Sequence, residues 1–269
     1  ALLKDAVHRQ MAADVPLGAF LSGGIDSSAV VALASKHTTQ LSTFLIGYKD
    51  EPFFDETKYA NLVAKKCKTN HTVFSLTNND FLLHLYEVLD YIDEPFADSS
   101  CLPTYILCKH TRDKVTVALS GDGGDEVFAG YNKHAAEYKM RQQSLLNSLV
   151  KNNDWLWKIL PKSRNGKIAN LVRQLHRFAE GGKLNVKDRY YRWCSISTPA
   201  DAIKMFSPEI QQQIDVDTFH KRKDLITSYI TNDIDFNQIL EADMNGVLVS
   251  NMLFKVDMMS MANSLEVRS

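Results

Sequence analysis

Apolar positions in the first half of the chain alternate between two periods. Short β-like runs occupy residues 17–22, 41–47, 71–76 and 115–120, each bounded by turn-forming residues. Between them, residues 27–36 are almost uniformly apolar, and Ala60, Val63, Ala64 and Cys67 recur at helical spacing behind a cap at Asp55. Phe81, Leu85, Val88, Leu89 and Ile92 form a further helical stripe. Strands alternating with helices predict an α/β fold, a parallel sheet with helices on both faces and right-handed crossovers. After about Lys139 the β-like runs fade. Residues 154–160 carry Trp155, Trp157 and Ile159 ahead of Pro161, residues 162–167 read as a basic loop, and Gly181 and Gly182 mark a break. The expectation is a core over residues 1–140 and a mainly helical region over 141–269, without internal repeats.

Composition narrows the picture. A chain of 269 residues, 45% of them apolar, has room for two domains or for one with a large extension. With 31 basic against 32 acidic residues, no global charge draws it to nucleic acid or to an anionic membrane, so any anion site must be local. No apolar run is long enough for a bilayer and no signal-peptide pattern opens the chain, so a cytoplasmic location is expected. Cys67, Cys101, Cys108 and Cys194 lack C-x-x-C spacing and read as buried thiols; the eight scattered histidines give no support to zinc. The basic clusters at residues 65–68 and 220–223 read as solvated faces.

Three short stretches carry chemistry. The first, LSGGIDSS at residues 21–28, sits where a strand feeds a helix. Gly23 and Gly24 let the backbone approach a bulky anion, the amides of the helix start face it, and Ser22, Ser27 and Ser28 add hydroxyl donors. Asp26 would repel a bare phosphate and makes sense beside Mg2+, so the loop predicts a nucleotide with metal. It is neither a Walker A loop nor a dinucleotide fingerprint; a tight turn with a helix cap is the plain alternative. The second, SGDGGDEVFAGY at residues 120–131, again ends a strand in glycines and acids and would put Asp125 across a metal ion from Asp26. A calcium loop on Asp122, Asp125 and Glu126 lacks EF-hand spacing. The third, KVDMMSMANSLEVRS at residues 255–269, has core-helix spacing at Met258, Met259, Met261 and Leu265. Its charges Lys255, Asp257, Glu266 and Arg268 must be paired inside or aimed at a ligand.

The first stretch resembles the pyrophosphate loop of ATP pyrophosphatases. Together with TFLIGYKD, FDETKYANLVAKK and DEPFADSSCLPTY, the three resemble the synthetase domain of glutamine-hydrolysing asparagine synthetases, over most of residues 1–140 and the last fifteen. The resemblance implies an adenine nucleotide α-hydrolase-like fold and a ligase that uses ATP and Mg2+. Aspartate would be activated as β-aspartyl-AMP and ammonia would then displace AMP. Leu21, Ile46, Ser120 and Gly121 would hold the adenosine, with Ser22, Gly23, Gly24, Asp26, Ser27 and Ser28 on the pyrophosphate side. Asp26 and Asp125 would bind Mg2+; Asp122, Lys255, Glu266 and Arg268 are the candidate catalytic residues. Asp122 stands where the family often has glutamate, and Met258 where many relatives carry a basic residue. The expected partners are aspartate, ammonia and an N-terminal glutaminase domain, with a homo-oligomer as a further possibility and no nucleic acid or membrane. The chain is thus expected to be a fragment lacking that domain and part of the active-site wall. Adenylation of another carboxylate by a related amidotransferase or cyclase, a tRNA-modifying pyrophosphatase and a non-catalytic ATP-binding module are the competing readings.

Overall fold

The computed structural model describes residues 1–38, 40–142, 144–163 and 166–269, so the basic loop expected at residues 162–167 lies partly outside them. Two compact units emerge, one formed by residues 1–124 with 249–269 and the other by 125–248.

The first unit begins with α1 (Leu2–Gln10), β1 (Leu17–Phe20), α2 (Ile25–Ala34), β2 (Ser42–Tyr48), α3 (Thr57–Cys67) and β3 (Asn70–Leu76). It continues with α4 (Asn78–Tyr91), α5 (Cys101–Arg112) and β4 (Val117–Leu119). The strands form one parallel sheet in the order β3-β2-β1-β4-β5, the last being β5 (Glu266–Arg268). All four strands expected from the sequence are present.

Alternate residues of the strands feed two cores, as the pleat requires. On one face Ala19, Leu45 and Leu119 pack with Val7, Val31 and Ala64 from α1, α2 and α3. On the other, Phe44, Ile46 and Ala118 meet Tyr105, Ile106 and Cys108 of α5 and Val88 of α4. Strand β2, flanked by β3 and β1, is buried at five consecutive positions, the near-continuous run of a strand covered on both sides. The α4 stripe turns Phe81, Val88 and Ile92 inward but leaves Leu89 exposed. Of the four free cysteines, Cys101 and Cys108 are buried, Cys67 is half-buried, and Cys194 is exposed, contrary to the reading of all four as buried thiols. Cys194 ends a short helix, Val186–Cys194, and its Sγ accepts from Lys133 Nζ at 3.3 Å, so a polar contact and not the apolar core places it.

The last fifteen residues do not stay helical. The closing helix ends at Met261, Ser264 takes a left-handed φ of 54°, and Glu266–Arg268 pair with β4 as a fifth strand. Leu265 and Val267 are apolar at an interval of two, too short a run to be separated from the helical pattern ahead of it.

Helices make up the regular structure of the second unit: α6 (Gly124–Phe128) at its start, α7 (Asn132–Arg141), α8 (Leu145–Asn152), α9 (Asp154–Ile159), α10 (Lys167–Gly181) and α11 (Val186–Cys194). They are followed by α12 (Pro199–Ile203), α13 (Pro208–Gln211), α14 (Val216–Ile226) and α15 (Asn237–Asp243). A π-helical stretch (Met244–Leu253) runs on into α16 (Phe254–Met261) of the first unit. Tyr190, Ile230, Ile239 and Ala242 form the apolar core of the second unit. Beside it lies a buried ionic network. Asp243 accepts hydrogen bonds at 2.6 Å from each of Lys133, His134 and Tyr190, and Glu137 takes a bidentate pair from Arg189 at 2.7 and 2.8 Å.

Candidate active site

The sheet changes direction at β1, since β2 and β3 extend it on one side and β4 and β5 on the other. Loops leaving neighbouring strands diverge at such a switch point, and open α/β sheets receive ligands in the crevice beyond those carboxyl ends. The loops here are residues 21–24 and 120–123, the two glycine-rich stretches found in the sequence.

The first loop is folded for close approach. Gly23 has φ +85°, and a Cβ there would lie 2.5 Å from the amide nitrogen of Ala60 in α3. Ser22 Oγ accepts from the Gly24 amide at 3.2 Å and shares a 3.0 Å hydrogen bond with Ser27 Oγ, which also donates to the Gly24 carbonyl at 3.3 Å. Gly24 occupies the N-cap of α2 without a side chain to accept from the first turn, so the helix start keeps its amides and its positive dipole end for an anion. Ser28 Oγ is buried and has no hydrogen-bond partner among the described residues.

The second loop crosses the first at glycines. A Cβ on Gly121 would fall 2.8 Å from the Ser27 amide nitrogen, and one on Gly124 would fall 2.5 Å from Asp26 Cγ. The Asp26 carboxylate therefore lies against residues 121–124. It is half-buried and makes no hydrogen bond or ion pair among the described residues, which suits a hard oxygen ligand for a cation. Among the described residues no group of three or more His, Cys, Asp or Glu side chains is set to hold a metal ion. Ser120 Oγ donates to the Asp122 carboxylate and accepts from the Asp122 amide at 3.2 Å, so these two candidates engage each other. Burial first, and then the Asp122 charge, push the Cys108 thiol up to about 12.

Backbone geometry gives Leu21 and Ile46 their place. The Leu21 amide donates to the Phe44 carbonyl at 2.9 Å, one step beyond the end of β1. Residues two apart in a strand turn their polar groups to the same side, so the amide and carbonyl of Ile46 face the space past β1. The side chains of Leu21 and Ile46 are buried in the core.

Asp125 follows Gly124 in the chain and belongs to the second unit, where its carboxylate lies over Gly130. In the same unit Tyr131 donates to fully buried Glu126 at 2.8 Å, so Glu126 closes the motif from inside and is not presented as a calcium ligand. Burial, followed by this bond, pushes the Tyr131 hydroxyl far above its ordinary value.

The closing segment separates its charges. Lys255 is 6% exposed and its Nζ donates to Ser100 Oγ at 2.8 Å and Asp98 Oδ2 at 3.2 Å. Asp98 Oδ1 accepts from the Ser100 amide at 2.9 Å. Burial pushes the Asp98 carboxyl up, but the Ser100 hydrogen bonds and the Lys255 charge outweigh it and hold the group below its ordinary value. Helices α5 and α16 each precede a strand and run back along the sheet, so their N-termini, and with them this trio, lie at the carboxyl edge. Arg268 is differently employed. Its guanidinium donates to the carbonyls of Gln10 and Ala12 at 2.8 Å each and to Glu266 at 2.7 Å, while its own carbonyl accepts from the Ser120 amide at 2.7 Å. Glu266 and Arg268 thus join the end of α1 to β5, and their side chains make no bond to residues 21–28.

The asparagine synthase family profile matches residues 1–269 in full. The chain belongs to the asparagine synthase family. Asparagine synthetase 1 of Bacillus subtilis, named as glutamine-hydrolysing, is 29% identical over 271 residues, covering 98% of this chain and 40% of that protein. A Methanocaldococcus jannaschii protein with the provisional name glutamine-hydrolysing asparagine synthetase 2 is 47% identical over 143 residues, 52% of this chain and 27% of the relative. A Mycobacterium tuberculosis protein with the same kind of provisional name is 33% identical over 275 residues, 100% of this chain and 39% of the relative. The chain therefore spans about two fifths of the length of the curated relatives that match it end to end.

Within this asparagine synthase domain, Met258 is half-buried against the core that holds Ile46 and Tyr105. Asp98 and Ser100 were not singled out by sequence reasoning, although they lie in a stretch that carries the family resemblance. Their signal is the D-S-S run before an apolar helix, which reads as a cap until Lys255 is placed beside it, 155 residues further along the chain.

Proposed function

We propose that this chain is the ATP-dependent, amide-forming part of an asparagine synthetase, with aspartate as acceptor and ammonia as nitrogen donor. The observation that carries the reading is the meeting of two glycine loops at the switch point, where an uncapped helix start, a partnerless Ser28 hydroxyl and the partnerless Asp26 carboxylate converge.

In this reading the first-turn amides of α2 with Ser22, Ser27 and Ser28 bind the β and γ phosphates of ATP, and the main chain at Leu21, Ile46, Ser120 and Gly121 binds adenosine. Asp26 would hold Mg2+, which would neutralise charge on the departing pyrophosphate; the assignment of Asp125 to the same ion rests on the sequence resemblance alone. An oxygen of the aspartate side-chain carboxylate attacks the α phosphorus, the bond to the bridging oxygen breaks, and pyrophosphate leaves. Ammonia then attacks the acyl carbon, the acyl–phosphate bond breaks, and AMP departs. Asp122 takes the proton released from the incoming nitrogen, after exchanging its bond to Ser120. Lys255, fixed by Asp98 and Ser100, supplies positive charge for the acceptor carboxylate and the developing phosphate charge. Glu266 and Arg268 act on the site through β5 and the Ser120 amide. Ammonia comes from glutamine in the whole protein, delivered by a glutaminase domain.

The test is pyrophosphate release from ATP and Mg2+ by the chain supplied with ammonium and a panel of carboxylic acids. Release dependent on aspartate, with AMP and asparagine as products, supports the reading. Release with a different acid replaces the substrate and keeps the chemistry; ATP binding without release in any mixture rejects the ligase.

A further inference from the structure

One cavity in the second unit, of about 730 Å³, belongs to none of this chemistry. Its walls include Lys151, Lys158, Lys183, Asp154, Trp155 and Gly182, and its volume falls in the range of roughly 300–1,000 Å³ common for small-molecule sites. Three lysines line it against one aspartate. Asp154, 6% exposed, takes Lys183 at 2.7 Å and Lys158 at 3.3 Å on the same oxygen, Oδ2, while its other oxygen is buried without a partner among the described residues. Asp154 anchors two of the lysines and leaves the positive charge in excess.

Lys151 is placed by a missing side chain. Its stem crosses Gly182, where a Cβ would come within 2.7 Å of Lys151 Cγ and 2.8 Å of Cε. Gly182 has φ −65°, an ordinary helical value, so its backbone does not require glycine; the lysine passing over it does. The nearby His176 imidazole is pushed below its ordinary range by burial and then by the charge of Lys162, against the opposing influence of Glu180 and Asp154. Trp155 adds a flat apolar wall and is 62% exposed, with no ring stacked on it among the described residues.

We propose that this cavity binds a nucleoside monophosphate, its phosphate on Lys151 and the two Asp154-anchored lysines and its base on the Trp155 indole. Phosphate suits a set of compact ammonium point charges, and an aromatic base suits the exposed ring. The site is built from residues of the second unit, whereas the ATP loops belong to the first, and it gives the protein a second place to bind adenylate-type anions. A purely structural account of the lysines exists, because Lys151 and Lys183 stand at the C-terminal ends of α8 and α10, where cations meet unpaired carbonyls.

Fluorine NMR of fluorotryptophan-labelled protein separates the two. The chain has three tryptophans, and the Trp155 signal is identified by its loss in Trp155→Phe. Titration with AMP is expected to shift that signal saturably, with the same affinity in Asp26→Asn, which alters only the ATP loop. Lys151→Glu and Gly182→Ala are expected to weaken binding at least about tenfold, and Lys151→Arg to retain it. A Trp155 signal unmoved by millimolar AMP, orthophosphate and pyrophosphate overturns the proposal, as does an unchanged affinity in Lys151→Glu, since lysines that only cap helices do not depend on a ligand.

Discussion

Gly23 illustrates how much a single position decides. Its φ of +85° and the 2.5 Å approach to the Ala60 amide exclude a Cβ for two independent reasons. Gly23→Ala is therefore expected to lower stability by at least about 1–3 kcal/mol, measured by urea denaturation, because left-handed backbone alone costs that much for a side-chain-bearing residue. The glycine was legible in the sequence as a loop residue; its partner Ala60 was not, because nothing local ties residue 23 to residue 60. Asp98 supports a prediction in pH. Its carboxyl is held below its ordinary value in the folded state, so its contribution to stability is complete at neutral pH, above the unfolded value of about 3.9, and is lost as pH falls through the lower folded value. Acid titration of unfolding should show a shallower loss in Asp98→Asn than in the parent; equal slopes would show that the contacts of the Asp98 carboxylate with Ser100 and Lys255 add nothing.

Among the elements, β5 is the clearest case of context overriding pattern. Three residues form it, too few for a period, and its formation rests on the unpaired edge of β4 and on Arg268, which binds the carbonyls left open at the end of α1. Arg268→Ala is expected to cost about 1.5–3 kcal/mol, the scale of hydrogen bonds from a charged group. Glu266→Ala should cost about 0–1 kcal/mol, as for an exposed ion pair. Denaturant midpoints of the two variants check both values, and equal losses would show that the salt bridge rather than the carbonyl contacts holds the edge. The start of α4 was set by local chemistry. Thr77 and Asp80 form a reciprocal capping box, and Thr77→Ala should lose about 1 kcal/mol in the same assay.

At the scale of the whole molecule, the two units are stabilised by different means. The first rests on apolar layers either side of a sheet, which its sequence displays openly. The second buries Asp243 with Lys133 and His134, and Glu137 with Arg189, beside a small apolar core. Neutralising Asp243 leaves the Lys133 ammonium without its counter-charge, so Asp243→Asn is expected to cost about 3–5 kcal/mol, read from the thermal and denaturant unfolding of the chain. The sequence alone determined the α/β class, the four leading strands, the two glycine loops and the family to which the chain belongs, because strand and helix periods and loop chemistry are local properties. Tertiary structure alone decided that Gly121 packs on Ser27, that Lys255 meets Asp98, that Arg268 turns to the end of α1, and that Asp243 and Glu137 of the second unit meet their partners inside. Each is a contact between residues far apart in the chain, where only the packed fold determines which partner a side chain meets.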